Sequence, residues 1–222
     1  YISPSEINYQ ANIYALKELG VSTIISISAV GSLKEEHQPT KFVLPSQFID
    51  WTKGLRKRTF FSNGMVGHVS VANPVEVNLQ KRLANLMEKE GVDFSYGGSY
   101  VCIEGPQFST KAESNIYRSF GADIIGMTNV PEAYLAKEAA MAYSTLAMVT
   151  DYDCWREDHC DAKQIMEVMQ TNYKKVQQLI PKFIANLNLE PINFTPENQY
   201  AVMTDKSLLT DDQKKILDVL LK

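Results

Sequence analysis

Two carboxylates one residue apart, Asp151 and Asp153, end the apolar run Tyr143-Ser144-Thr145-Leu146-Ala147-Met148-Val149-Thr150. Side chains alternate faces along an extended chain, so both acids can point the same way at a strand's carboxyl end. Held close as anions they repel, which raises the pKa of one and makes a proton donor near neutral pH. The same residues also suit a strand followed by an Asp-rich turn. A second group is Ser28-Ala29-Val30-Gly31-Ser32, where small residues let backbone N–H groups approach a ligand and a hydroxyl beside a glycine suits an anion. Any tight turn after a strand looks similar. The third is Glu104-Gly105-Pro106-Gln107-Phe108-Ser109-Thr110, a forced turn in which Phe108 offers a stacking face beside a carboxylate, or else anchors the loop to the core. His68 stands alone in an apolar run and reads as a hydrogen-bonded structural residue unless a partner emerges.

These groups need elements to hold them. Ser3-Pro4-Ser5-Glu6 has the form of a helix start, with Ile7, Ala11, Tyr14 and Ala15 on one face and Gly20 at the end. Strands are expected over 21–27, 42–48, 65–71 and 93–103, and a short one followed by a turn opens the stretch 121–132. Helices are expected after Asn73-Pro74-Val75-Glu76, after Thr110 with its capping box to Glu113, and near Pro131. A long amphipathic stretch, 161–187, carries Ile165, Val168, Met169, Tyr173, Val176 and Leu179 on one face, with Pro181 kinking or splitting it. Residues 190–205 read as loop, and Thr210-Asp211-Asp212-Gln213 caps a last helix that docks on its own domain or on a neighbouring subunit. Strands alternating with helices, and ligand-type residues after successive strands, give an α/β fold. The expected form is a mixed, partly barrel-like central β-sheet flanked by helices.

The 222 residues, 45% hydrophobic and 22% charged, fit one domain with a sizeable core and no membrane span. The first residues show no basic region followed by an apolar core, so no signal peptide is expected in this sequence. Net charge is −4, and the basic run Lys53 to Arg58 reads as a solvated loop, so no nucleic-acid partner is expected. Cys102, Cys154 and Cys160 cannot all pair, and Cys154-His159-Cys160 matches no zinc spacing; reduced thiols, a cytoplasmic protein and no metal are the expectation.

Five stretches taken together resemble one family. Asn8-Tyr9-Gln10-Ala11-Asn12-Ile13, Ala29-Val30-Gly31-Ser32-Leu33, Ile103-Glu104-Gly105-Pro106-Gln107-Phe108-Ser109, Met127-Thr128-Asn129-Val130-Pro131-Glu132 and Thr150-Asp151-Tyr152-Asp153-Cys154-Trp155 are similar to the purine nucleoside phosphorylase superfamily, most of all to its methylthioadenosine-cleaving branch. The similarity runs in order over about residues 3–180, and 190–222 do not carry it. It implies a nucleoside phosphorylase domain over 1–189 and a carboxyl-terminal extension, 190–222. That family's domain begins with a strand, a Gly-rich phosphate loop and an Arg-His pair, which precede the segment where this sequence starts. A protein without them would lose a sheet edge and much of its phosphate site.

The resemblance implies phosphorolysis of 5'-methylthioadenosine to adenine and 5-methylthioribose 1-phosphate, with inorganic phosphate as co-substrate, no cofactor or metal, and a homotrimer. It assigns phosphate to Ser28, Ala29 and Thr128, and ribose to Met127 with His68 near its 5' side. Phe108 and Ser109 would meet the purine, with Gly31 and Thr150 shaping its pocket. Ile165, Val168 and Met169 would form the methylthio slot. Asp151 would protonate the purine N7 and Asp153 would hold the 6-amino group. A carboxylate accepts from a 6-amino group and repels a 6-oxo oxygen, which favours adenine. Gly126 departs from the pattern, since close relatives can carry Asn there. A 6-oxopurine phosphorylase, a hydrolase of the same bond, and a truncated nucleoside-binding protein remain as alternatives.

Overall fold

A computed structural model describes residues 2–157, 162–186 and 197–221. His159, Cys160 and the stretch 190–196 of the expected loop lie outside the described residues.

Seven strands form one sheet: β1 (Thr23–Ser32), β2 (Phe42–Leu44), β3 (Gln47–Trp51), β4 (Phe94–Tyr96), β5 (Ser99–Ile103), β6 (Ile124–Gly126) and β7 (Ala142–Tyr152), in the order β3-β5-β6-β1-β7-β2-β4. Pairing is mixed: β1–β7, β2–β4, β3–β5 and β5–β6 are parallel, β1–β6 and β2–β7 antiparallel. The sheet curls into a half-barrel flanked by α1 (Tyr9–Glu18), α2 (Val77–Lys89), α3 (Lys111–Ser119), α4 (Asn129–Glu138), α5 (Ala162–Asn186) and α6 (Asp211–Leu220). β1 and β7 are its spine. Covered on both sides, β7 is buried from Ala142 to Thr150, which is why its sequence reads as a continuous rather than an alternating apolar run.

Several boundaries differ from the sequence reading. Ser3 to Glu6 do form the expected bond, Ser3 N–H to the Glu6 carboxylate at 2.9 Å, but in a turn; the helix starts at Tyr9, capped by Asn8. The Tyr9 hydroxyl donates to the Pro4 carbonyl and folds that turn back. Residues 65–71 are not a strand. Met65 is buried with Phe61, Leu209 and Leu217, and one bridge, Gly67 to Val202, is the ladder they make. The apolar pattern there serves packing against the carboxyl-terminal segment, not pairing with a neighbouring strand. Pro181 neither splits α5 nor ends it. The buried face of α5 is Asn172, Val176, Leu179 and Phe183, so Tyr173, grouped with it by spacing, stands exposed. α6 places Leu220 beside Tyr9 and Ile13 of α1, docking the last helix on the body of the chain. No helix among the described residues is long and apolar enough to cross a membrane.

Candidate active site

The carboxyl ends of β5, β6 and β7 and the second half of β1 converge on a cavity of about 460 Å³, partly closed by the start of α5. Its wall includes Ser28, Ala29, Gly31, Phe108, Ser109, Met127, Thr128, Thr150, Asp151, Asp153, Ile165 and Met169. Twelve of the fourteen residues singled out in the sequence therefore meet in one place. The other two do not: Val168 is set back from the wall on α5, and His68 is exposed on the 65–71 segment, its N–H bonded to the Ala201 carbonyl at 2.8 Å. Periodicity placed Val168 with Ile165 and Met169, but the helix turns it away. Pro4, Ile27, Val30, Ile103, Ile125 and Gly126 complete the wall; read as apolar or turn positions, they were assigned no role in it.

Ser28, Ala29 and Gly31 lie inside β1, not in a turn after it. At Val30/Gly31 the pairing with β7 slips by one residue, so that Val30 faces Val149 while Gly31 faces Asp151. Such a bulge re-aims the side chains that follow it. It brings both acids over Gly31: a Cβ built there would lie 3.6 Å from Asp151 Oδ2, 3.7 Å from the Asp153 Cβ and 3.0 Å from Ile125 Cγ2. Only glycine leaves that floor open to a flat ring.

Burial, rather than mutual repulsion, is the leading reason that both carboxyls titrate high. For Asp151 burial raises the pKa, the Thr150 hydroxyl 2.6 Å from Oδ1 opposes, and Asp153 adds a smaller upward push. For Asp153 burial again leads, opposed by Ser114 and the Cys154 backbone, with Glu113 pushing upward. Asp153 is 7% exposed, and its Oδ2 has no hydrogen-bond partner among the described residues. A buried acceptor left open costs about 1–3 kcal/mol, which a ligand donor placed there would recover.

Two loops carry the rest. Phe108 is 71% exposed at the cavity mouth, so it does not anchor its loop to the core; its face is free for stacking. That loop is tied to the β7 exit by the Cys154 thiol, which donates to the Ser109 carbonyl at 3.1 Å. Gly105 has φ +65, and a Cβ on it would sit 2.5 Å from Met127 Sδ, so the turn needs glycine for conformation and for space. Thr128 stands at the N-cap of α4 yet makes no side-chain cap bond, leaving its hydroxyl for the cavity. Among the described residues no group of three or more His, Cys, Asp or Glu could hold a metal.

The residue that sequence reading most misjudged is Arg56. Placed in a basic run expected to be solvated, its side chain is fully buried. Its Nε faces Glu104 Oε1 at 3.2 Å, Nη1 donates to the carbonyls of Met127 (2.7 Å) and Val130 (2.6 Å), and Nη2 to those of Glu104 (2.9 Å) and Ile103 (3.3 Å). One guanidinium thus clamps the Glu104 to Thr110 loop to the Met127 to Val130 turn, a use of its fixed fork that Lys cannot match. Burial would raise the Glu104 carboxyl, but the Ser5 hydroxyl, the Lys53 N–H and Arg56 together hold it below its ordinary value. Arg56→Met should therefore cost about 3–5 kcal/mol in urea unfolding, because it strands a buried carboxylate and several carbonyls. A loss under 1 kcal/mol would mean that the clamp relaxes into water.

The strand ends of this α/β sheet thus gather two buried acids, an exposed aromatic ring and several hydroxyls around one cavity. The phosphorylase superfamily model matches residues 2–185, and the chain belongs to that superfamily. Similar proteins include the S-methyl-5'-thioadenosine phosphorylase of Geobacter sulfurreducens, 44% identical over 98% of this chain and 77% of its own, and that of Koribacter versatilis, 53% identical over 82% of this chain and 63% of its own. The first of these alignments, over 221 residues, takes in the carboxyl-terminal segment that the motif resemblance left out. Among solved structures, a methylthioadenosine phosphorylase sourced from an antarctic soil metagenomic library superposes with a TM-score of 0.90 at 44% identity, covering 99% of this chain and 79% of that one.

Proposed function

We propose that this chain cleaves 5'-methylthioadenosine by phosphorolysis, giving adenine and 5-methylthioribose 1-phosphate. The observation that carries this reading is the open, buried Asp153 Oδ2 beside an elevated Asp151, over a glycine floor. A 6-aminopurine lying on Gly31 under Phe108 donates its amino group to Asp153. Asp151 donates a proton to N7. Phosphate rests on the Ser28 and Thr128 hydroxyls and the Ala29 backbone. As the C1'–N9 bond breaks, a phosphate oxygen bonds to C1' and the bonding pair goes to the purine; the proton from Asp151 makes that purine neutral and leaves Asp151 as carboxylate. Met127 lies against the ribose, and Ile165 and Met169 supply the apolar slot for the methylthio group.

The reading asks for no cofactor beyond phosphate, because Asp151 supplies the acid. It includes a homotrimer, with which the exposed Trp51 and Phe120 pair, rings 5.5 Å apart, is in keeping. It also includes a cytoplasmic location, in keeping with the free thiols of Cys102 and Cys154. We take 1–189 as the phosphorylase domain and 190–222 as an extension docked on it. Base release from 5'-methylthioadenosine, adenosine and inosine, followed with and without phosphate, tests the reading. Phosphate-dependent release, fastest from 5'-methylthioadenosine, is expected; preference for inosine would overturn the adenine assignment.

A further inference from the structure

Ser28 lies in β1 and Thr128 just past the end of β6, where the two strands part company. β1 and β6 pair antiparallel at Ser32–Ile124 and Gly31–Ile125, and there the ladder stops. Continuing that register would set Ser28 against Thr128, but β6 ends at Gly126 and no backbone bond spans the gap.

A side chain enters it. Tyr100, on β5, is fully buried, with its ring edge-on to Phe48 at 5.7 Å. Its hydroxyl lies 3.3 Å from Ser28 Oγ, and Thr128 is near enough to draw its pKa down. Burial pushes this phenol above its ordinary value, so it stays neutral, with one proton to give and two lone pairs to receive. The phenol passes where β6 carries Gly126: a Cβ there would overlap the hydroxyl and come within 2.6 Å of Cζ. The glycine that departs from the family pattern is thus the space that the Tyr100 head occupies.

We propose that Tyr100 is a positioning residue for the phosphate half of the site, its hydroxyl holding Ser28 Oγ in place opposite Thr128 where the ladder is missing. This rests on the phosphorolysis reading, in which those two hydroxyls hold phosphate. Tyr100 itself is not on the cavity wall and acts only through Ser28. A ring in the core explains burial alone; a hydroxyl within hydrogen-bond reach of Ser28 does not follow from packing.

Tyr100→Phe keeps the ring and removes the oxygen. In the full chain it should raise the KM for phosphate about fivefold to tenfold, the worth of one hydrogen bond, while the KM for nucleoside and the Tm without ligand change little. The upward shift of Tm on adding inorganic phosphate should shrink in parallel, and this reading needs no turnover. If the unsubstituted chain responds to phosphate and Tyr100→Phe responds equally, the positioning role is overturned and the functional reading stands. A variant in which both KM values and the ligand-free Tm move together reveals a packing role and overturns it too. An unsubstituted chain with no phosphate response in either assay overturns the phosphate reading and this inference with it.

Discussion

Asp151→Asn should lower kcat for 5'-methylthioadenosine by about 10²- to 10⁴-fold, the contribution of a placed general acid, while the KM for phosphate stays within a few fold. An amide at this position keeps the shape and gives N7 a weak hydrogen bond, but it has no proton to surrender as the base departs. The pH profile adds a second sign. Burial raises the Asp151 pKa, so the protonated form persists to higher pH than for an exposed Asp and is lost as pH rises through that raised value. At a fixed concentration of phosphate dianion the rate should therefore fall on the alkaline side, and Asp151→Asn should flatten that fall. The fold should not suffer. A buried acid with a raised pKa destabilises the folded state as pH rises and it ionises, so its replacement by Asn leaves the Tm at neutral pH equal or higher. Full turnover in this variant would remove Asp151 from the acid role.

Asp153→Asn should change what is cleaved more than how fast. The carboxylate accepts from a 6-amino group and repels a 6-oxo oxygen, whereas an Asn amide can turn to accept from one or donate to the other. The ratio of kcat/KM for 5'-methylthioadenosine over 5'-methylthioinosine should drop by about 10²-fold, mostly through gain of the 6-oxo substrate. In the unsubstituted chain the same discrimination should weaken as pH falls through the raised Asp153 pKa, because the protonated carboxyl can donate to a 6-oxo oxygen. An unchanged ratio at both pH extremes would show that the amino group is read elsewhere.

Much of this pocket was legible in the sequence, for reasons that differ by residue. The acids at 151 and 153 stood out because side chains two apart on a strand share a face, here at the carboxyl end where α/β sheets bind ligands. The Ser28, Phe108 and Met127 groups were visible as small or glycine-bearing segments at strand ends; the alternation of strands and helices gave the α/β sheet, and its glycines and long strands the bend toward a barrel. What stayed hidden depends on contacts far apart in the chain. The slip that turns Asp151 toward Gly31 arises between two strands about 120 positions apart, and no local pattern encodes it. Arg56 looked like its solvated neighbours because only the assembled loops supply the carbonyls that hold it. Tyr100 looked like any strand aromatic, since its hydroxyl finds Ser28 only after folding. The segment 65–71 misled in the other direction: Met65 and Val69 pack against the carboxyl-terminal segment without a strand to pair with, while Val66 and Val71 stand exposed.

The central claim is that phosphate, not water, takes the sugar from the base in this cavity. Phosphorus NMR of the chain incubated with 5'-methylthioadenosine and inorganic phosphate reads that bond directly. Growth of a sugar 1-phosphate resonance, one for each adenine released and at least 10²-fold slower with Asp151→Asn, is the result this account predicts. Adenine released with the phosphate signal unchanged would contradict it.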